Sequence, residues 1–70
     1  MKKDLFSELK KLGDERVTIW ERLENDSHVN TVTSGAADKV LNELTEHYAD
    51  YNEESINYCI DFPVITVIIN

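Results

Sequence analysis

The sequence predicts an α+β fold, a small and mostly antiparallel sheet of three or four strands with two helices packed on one face. Two segments place apolar residues at helical spacing, and the segments between and after them alternate apolar and polar residues as strands do. With 70 residues the chain forms one domain, residues 1–70. A core of this size supplies only about 3–5 kcal/mol of stability, so we expect a homodimer.

The first helix is predicted over residues 2–12. Leu5, Phe6, Leu9 and Leu12 recur at the spacing of one helical face. Gly13 follows as a C-terminal cap. Acidic residues near the start of this segment and basic residues near its end agree with the helix dipole.

A hairpin is predicted next. Residues 17–23 alternate in the manner of a strand, residues 24–27 have turn composition, and residues 28–33 resume the strand pattern. Trp20 lies in the first arm. We interpret it as core or dimer-interface packing, and an exposed binding anchor is the alternative.

The second helix is predicted from residue 36 to about residue 51. Val40, Leu44 and Tyr48 fall on one apolar face that covers the sheet. Residues 56–62 then alternate as a strand, and Pro63 interrupts the ladder. The chain therefore ends in one long bent strand or in two short ones. Its last segment, residues 64–69, is either covered on both faces or pairs across a dimer.

The charge is unevenly distributed along the chain. The net charge is −7, and all seven basic residues lie within the first 39 positions. Residues 40–70 contain six acidic residues and no basic one. We expect neither nucleic acid nor an anionic membrane surface as a direct partner, because binding either of them requires clustered lysine and arginine.

The second helix carries the most informative pattern, a row of carboxylates on the side away from its apolar face. Their spacing of three or four residues repeats every ~5 Å along a helix. The last three lie where the helix dipole is already negative, with no nearby lysine in sequence to offset them. The predicted partner-binding residues are these five, with three acids of the hairpin in support: Glu43, Glu46, Asp50, Glu53, Glu54, Glu21, Glu24 and Asp26.

Catalytic and cofactor signals are lacking. Gly13 and Gly35 are the only glycines, so no glycine-rich phosphate loop is present. His28 and His47 have no second ligand at metal spacing. We expect no enzyme activity, no cofactor and no metal. Cys59 is the only cysteine, which excludes a disulfide within the chain and suits the cytoplasm; we interpret its side chain as a small apolar filler.

The size, the acidity and the acidic helix beside a sheet resemble the small phage-encoded DNA-mimic proteins that disable host nucleic-acid-binding proteins. Within that class the chain is most similar to inhibitors of the bacterial nucleoid-associated protein HU. The resemblance implies a basic DNA-binding protein as partner, host takeover as the role, and the host bacterial cytoplasm as the location. The site residues above come from the charge pattern alone.

Three hypotheses for the function follow. The first is an acidic DNA mimic that binds a basic nucleic-acid-binding protein and blocks its DNA binding. The second is an immunity-type or anti-defence inhibitor that uses the same charges to plug a basic enzyme site. The third is a structural or assembly dimer that uses Trp20 and residues 64–69. An acidic face that serves only solubility is the simplest interpretation of the charges themselves.

Overall fold

The computed structural model describes residues 1–70 and has the predicted α+β architecture. Its elements are helix α1 (Lys2–Leu12), strand β1 (Arg16–Leu23), strand β2 (Asn30–Ala36), helix α2 (Ala37–His47), a short 3₁₀ turn (Glu53–Ser55), strand β3 (Ile56–Asp61) and strand β4 (Val64–Ile69). The bounds of α1 and the cap at Gly13 are those predicted. Neither helix is long and apolar enough to cross a membrane.

The four strands form one sheet in the order β2-β1-β4-β3. The two outer pairs, β1 with β2 and β3 with β4, are antiparallel, as the alternation and short connections predict. The central pair, β1 with β4, is parallel, with Ile19 opposite Ile65. The sheet is therefore mixed, and β4 is bonded to a neighbour on each side.

Pro63 separates two strands. Chain direction reverses between Asp61 and Val64, and the Phe62–Pro63 peptide bond in this turn is cis. Of the two alternatives left by the sequence, two short strands is the correct one. The turn also contacts β1, because the Thr18 amide donates to the Pro63 carbonyl at 2.9 Å.

The core lies between the helices and one face of the sheet. Its strand residues, such as Val17, Ile19 and Val67, alternate along the chain and so point to the same side. Both helices cover this side, since their buried residues join the same cluster. The eleven buried residues are Leu5, Leu9, Val17, Ile19, Ala37, Val40, Leu44, Tyr48, Ile56, Ile65 and Val67.

The other face of the sheet is uncovered, and we call it the open face. Register and alternation place thirteen side chains on it: Arg16, Thr18, Trp20, Arg22, Thr31, Ser34, Ala36, Asn57, Cys59, Asp61, Val64, Thr66 and Ile68. Trp20 is therefore outside the core, with 39% of its surface exposed. The interpretation of Cys59 as an apolar filler is wrong, because alternation turns it away from the helices and leaves it exposed.

Candidate functional site: an acidic end of the molecule

The topology gathers the ends of several elements at one end of the molecule. Because β1 and β4 are parallel, their last residues lie side by side, and the Glu24 amide donates to the Ile69 carbonyl at 2.8 Å. The antiparallel neighbours β2 and β3 begin at this same end. Helix α2 starts at the opposite end, where the Asp38 amide donates to the Gly13 carbonyl at 2.9 Å, and therefore finishes here.

The eight acids predicted from the sequence all belong to this end. Three come from the end of β1 and the turn after it, and five come from the second half of α2 and the connection to β3. We call this set the acidic end: Glu21, Glu24, Asp26, Glu43, Glu46, Asp50, Glu53 and Glu54. Two regions that are separate in sequence thus contribute to one surface of the fold.

The net charge is concentrated at this end. Its half of the molecule holds nine acidic side chains, Asp4 included, and only three basic ones, Lys2, Lys3 and Arg22. These sum to −6 of the total of −7. The opposite half is nearly balanced, with five acids and four bases, namely Glu8, Asp14, Glu15, Asp38, Asp61, Lys10, Lys11, Arg16 and Lys39.

The predicted row of five carboxylates on one helix is wrong. Helix α2 ends at His47, so only Glu43 and Glu46 are on it; Asp50 lies in a turn, and Glu53 and Glu54 lie in the 3₁₀ turn. The chain leaves the helix at Tyr48 and passes through the 3₁₀ turn before β3 begins at Ile56.

A lysine that is distant in sequence lies at the end of α2. The Lys2 ammonium donates to the main-chain carbonyls of Tyr48 at 3.0 Å and Tyr51 at 2.8 Å, just beyond the end of the helix. In return, a carboxylate oxygen of Glu53 accepts the Lys3 amide at 2.8 Å, at the start of α1. Helix α1 thus supplies a positive charge at the end of α2, and the 3₁₀ turn after α2 supplies a negative charge at the start of α1.

Glu21 is held by the fold rather than free in solvent. Its side chain is on the core side of β1, with 26% of its surface exposed. The buried Tyr48 hydroxyl donates to its carboxylate at 2.5 Å, and the His47 ring nitrogen Nε2 lies 3.6 Å away. Burial and then the bond to Glu21 raise the pKa of Tyr48 well above its usual value.

The remaining acids fall into two groups. Three accept internal hydrogen bonds: Glu53 as above, Asp26 from the His28 amide at 2.9 Å, and Glu43 from the Thr33 hydroxyl at 2.7 Å. Four have no hydrogen-bond or ion-pair partner on their carboxylates, namely Glu24, Glu46, Asp50 and Glu54. No carboxylate of the acidic end has a side-chain nitrogen of a lysine or arginine within 4.0 Å.

Two of the basic residues at this end bond to the main chain instead of to these carboxylates. Arg22 Nη1 donates to the carbonyls of Leu23, Glu24 and Asp26 at 3.0 to 3.3 Å, which closes the turn after β1. Lys2 bonds to carbonyls in the same way. The hydrogen-bonding capacity of the free carboxylates therefore remains available to a partner.

Comparison with known proteins identifies no relative, since no protein family, no curated protein and no solved structure matches the chain.

The substitution Lys2→Met tests the bond between the helices. We expect it to lower the free energy of unfolding by about 1 kcal/mol, because the carbonyls at the end of α2 lose a charged donor. The neighbouring Lys3→Met is the matched control, since the Lys3 ammonium has no hydrogen bond, and should change stability by less than about 0.5 kcal/mol. Urea denaturation measures both, and equal losses would contradict the assignment.

The substitution Tyr48→Phe tests the buried hydroxyl. At pH 7 it should cost about 1–2 kcal/mol, because Glu21 loses its donor. Above pH 10 an unfolded tyrosine releases its proton while Tyr48 keeps it, so the unfolded state binds fewer protons and the stability of the wild type falls as pH rises. The gap between the two proteins should therefore shrink by up to about 1.4 kcal/mol per pH unit above 10. Parallel curves of unfolding free energy against pH would refute this.

Proposed function

We propose that the chain is an acidic DNA mimic that binds a basic nucleic-acid-binding protein and blocks its DNA binding. The observation that carries the proposal is the acidic end, where a net charge of −6 and four unpaired carboxylates lie on one part of a small fold. Glu24, Glu46, Asp50 and Glu54 act as phosphate surrogates for lysine and arginine. The resemblance noted above makes HU the first partner to test.

The distribution and pairing of charge favour a binding surface over a simple solvated face. Acids that serve solubility need no particular placement, and natural surfaces intersperse both signs. Here the opposite half of the molecule is nearly neutral, and Lys2 and Arg22 bond to carbonyls rather than to the acids around them. A one-sided field of this kind steers a basic partner and makes association sensitive to salt.

The dimensions of the acidic end suit contact with a limited stretch of a DNA-binding surface. Strand β1 alone is about 26 Å long, so the 32 Å dimension of the molecule follows the strands and the end measures about 21 by 16 Å. Twenty ångströms of duplex DNA carry about 12 phosphate charges. One copy presents about half of that charge, and two copies together would approach it.

A compact end, in place of an extended row, also suits the second hypothesis, an inhibitor that plugs a basic enzyme site. The two partners respond differently to DNA. A nucleic-acid-binding protein is released by competing duplex, whereas an enzyme whose pocket does not bind DNA is retained. A pull-down from bacterial lysate, washed with competing duplex DNA, therefore distinguishes them.

The direct test is competition for HU. The chain should displace a fluorescently labelled duplex from purified HU, measured by anisotropy, with an affinity that falls as salt rises. The double variant Glu46→Gln with Asp50→Asn should compete about 10-fold less well, because two surrogate charges are removed.

The matched control is Asp14→Asn with Glu15→Gln, which removes the same two charges from the opposite end. It should compete within about 3-fold of the wild type, since both double variants have the same net charge. If both double variants lose the same ability to displace the duplex, then only the total charge of the protein matters, which contradicts a defined site. Failure of the wild type to displace duplex would exclude HU as the partner.

A further inference from the structure

A cavity of about 610 Å³ lies where the open face meets the acidic end. Trp20 and Thr66, which are paired across β1 and β4, line it together with Glu24 and Asp26 of the turn after β1. Both helices are on the other side of the sheet, so Trp20 takes no part in the core and 39% of its surface is exposed. An aromatic side chain and two members of the acidic end therefore share one concave surface.

The turn that lines this cavity is held in place by internal hydrogen bonds. Arg22 Nη1 donates to the carbonyls of Leu23, Glu24 and Asp26 at 3.1, 3.0 and 3.3 Å. Oxygen Oδ1 of Asp26 accepts the His28 amide at 2.9 Å. Because these groups are ordered before anything binds, a ligand pays less entropy to fix them.

The charge around the cavity favours a cation. Its charged side chains are Arg22, Glu24 and Asp26, which sum to −1. The Arg22 guanidinium is already bonded to carbonyls of the turn, whereas the Glu24 carboxylate has no partner. A cation finds two carboxylates beside the exposed face of an indole ring, and an anion would be repelled by both of them.

We infer that this cavity receives an arginine side chain of the basic partner. A guanidinium is flat, so it stacks on the Trp20 ring while its N–H groups donate to the Glu24 carboxylate as a fork. A lysine ammonium is a compact and strongly hydrated charge that gains less from such a ring. The inference rests on the proposed function, since it names the side chain by which a basic protein is recognised, and it makes Trp20 an anchor of that contact.

Titration of the chain alone with small probes tests the inference. The probes are the N-acetyl amides of arginine, of lysine and of citrulline, the neutral counterpart of arginine, each added at constant ionic strength. Trp20 is the only tryptophan, so its indole N–H gives a single resonance that reports on the cavity. The arginine probe should shift this resonance with saturation in the millimolar range, the lysine probe should bind at least about 3-fold more weakly, and the citrulline probe should leave the resonance unchanged. An unmoved resonance, or equal binding of the arginine probe and either other probe, would overturn the inference.

Glu24→Gln removes the unpaired carboxylate and should weaken binding of the arginine probe by at least about 3-fold. Glu15→Gln is the matched control, because it makes the same change in net charge at the opposite end and should leave binding intact. Equal affinities of the two variants would exclude Glu24 from the site. HU is absent from this experiment, so its failure is distinct from failure of the competition for HU.

Discussion

The parallel pairing of β1 with β4 is the constraint on which the rest of the structure depends. It joins the first half of the chain to the last strand and fixes a common direction for the two central strands. Because β2 and β3 are antiparallel to β1 and β4, they begin at the end of the sheet where β1 and β4 finish. Helix α2, which follows β2, also finishes at this end. The acidic end is therefore a product of strand direction, since it unites a hairpin turn with a segment about twenty residues further along the chain.

Periodicity predicted the elements well because it reports which side chains share a face. Helix α1 and strand β4 lie where the sequence predicts them. Pro63 separates two short strands, which is one of the two alternatives that the sequence left open. Periodicity does not report which strands are neighbours, so the central parallel pair was missed. The end of α2 was missed for a related reason: the position where β3 must start is a property of the sheet. Lys2 bonds to Tyr48 across 46 positions, a distance that no local pattern reveals.

The candidate site was selected by an argument that the structure corrects, although its residues lie together. The regular row of carboxylates on α2 is not formed. Half of the eight carboxylates accept hydrogen bonds from other groups of the chain, with Glu21 and Glu53 among them. The other half are exposed and unpaired. This division indicates which acids belong to stability and which are free for a partner, and it could not be derived from charge counting.

Mapping by nuclear magnetic resonance tests the central claim, that the acidic end is the partner-binding surface. Isotopically labelled protein is titrated with unlabelled HU while every backbone amide is followed. The account predicts that the perturbed amides cluster at Glu24, Glu46, Asp50 and Glu54, and that the perturbations fade as salt is raised. Perturbations centred on Asp14 and Glu15 at the opposite end would contradict it.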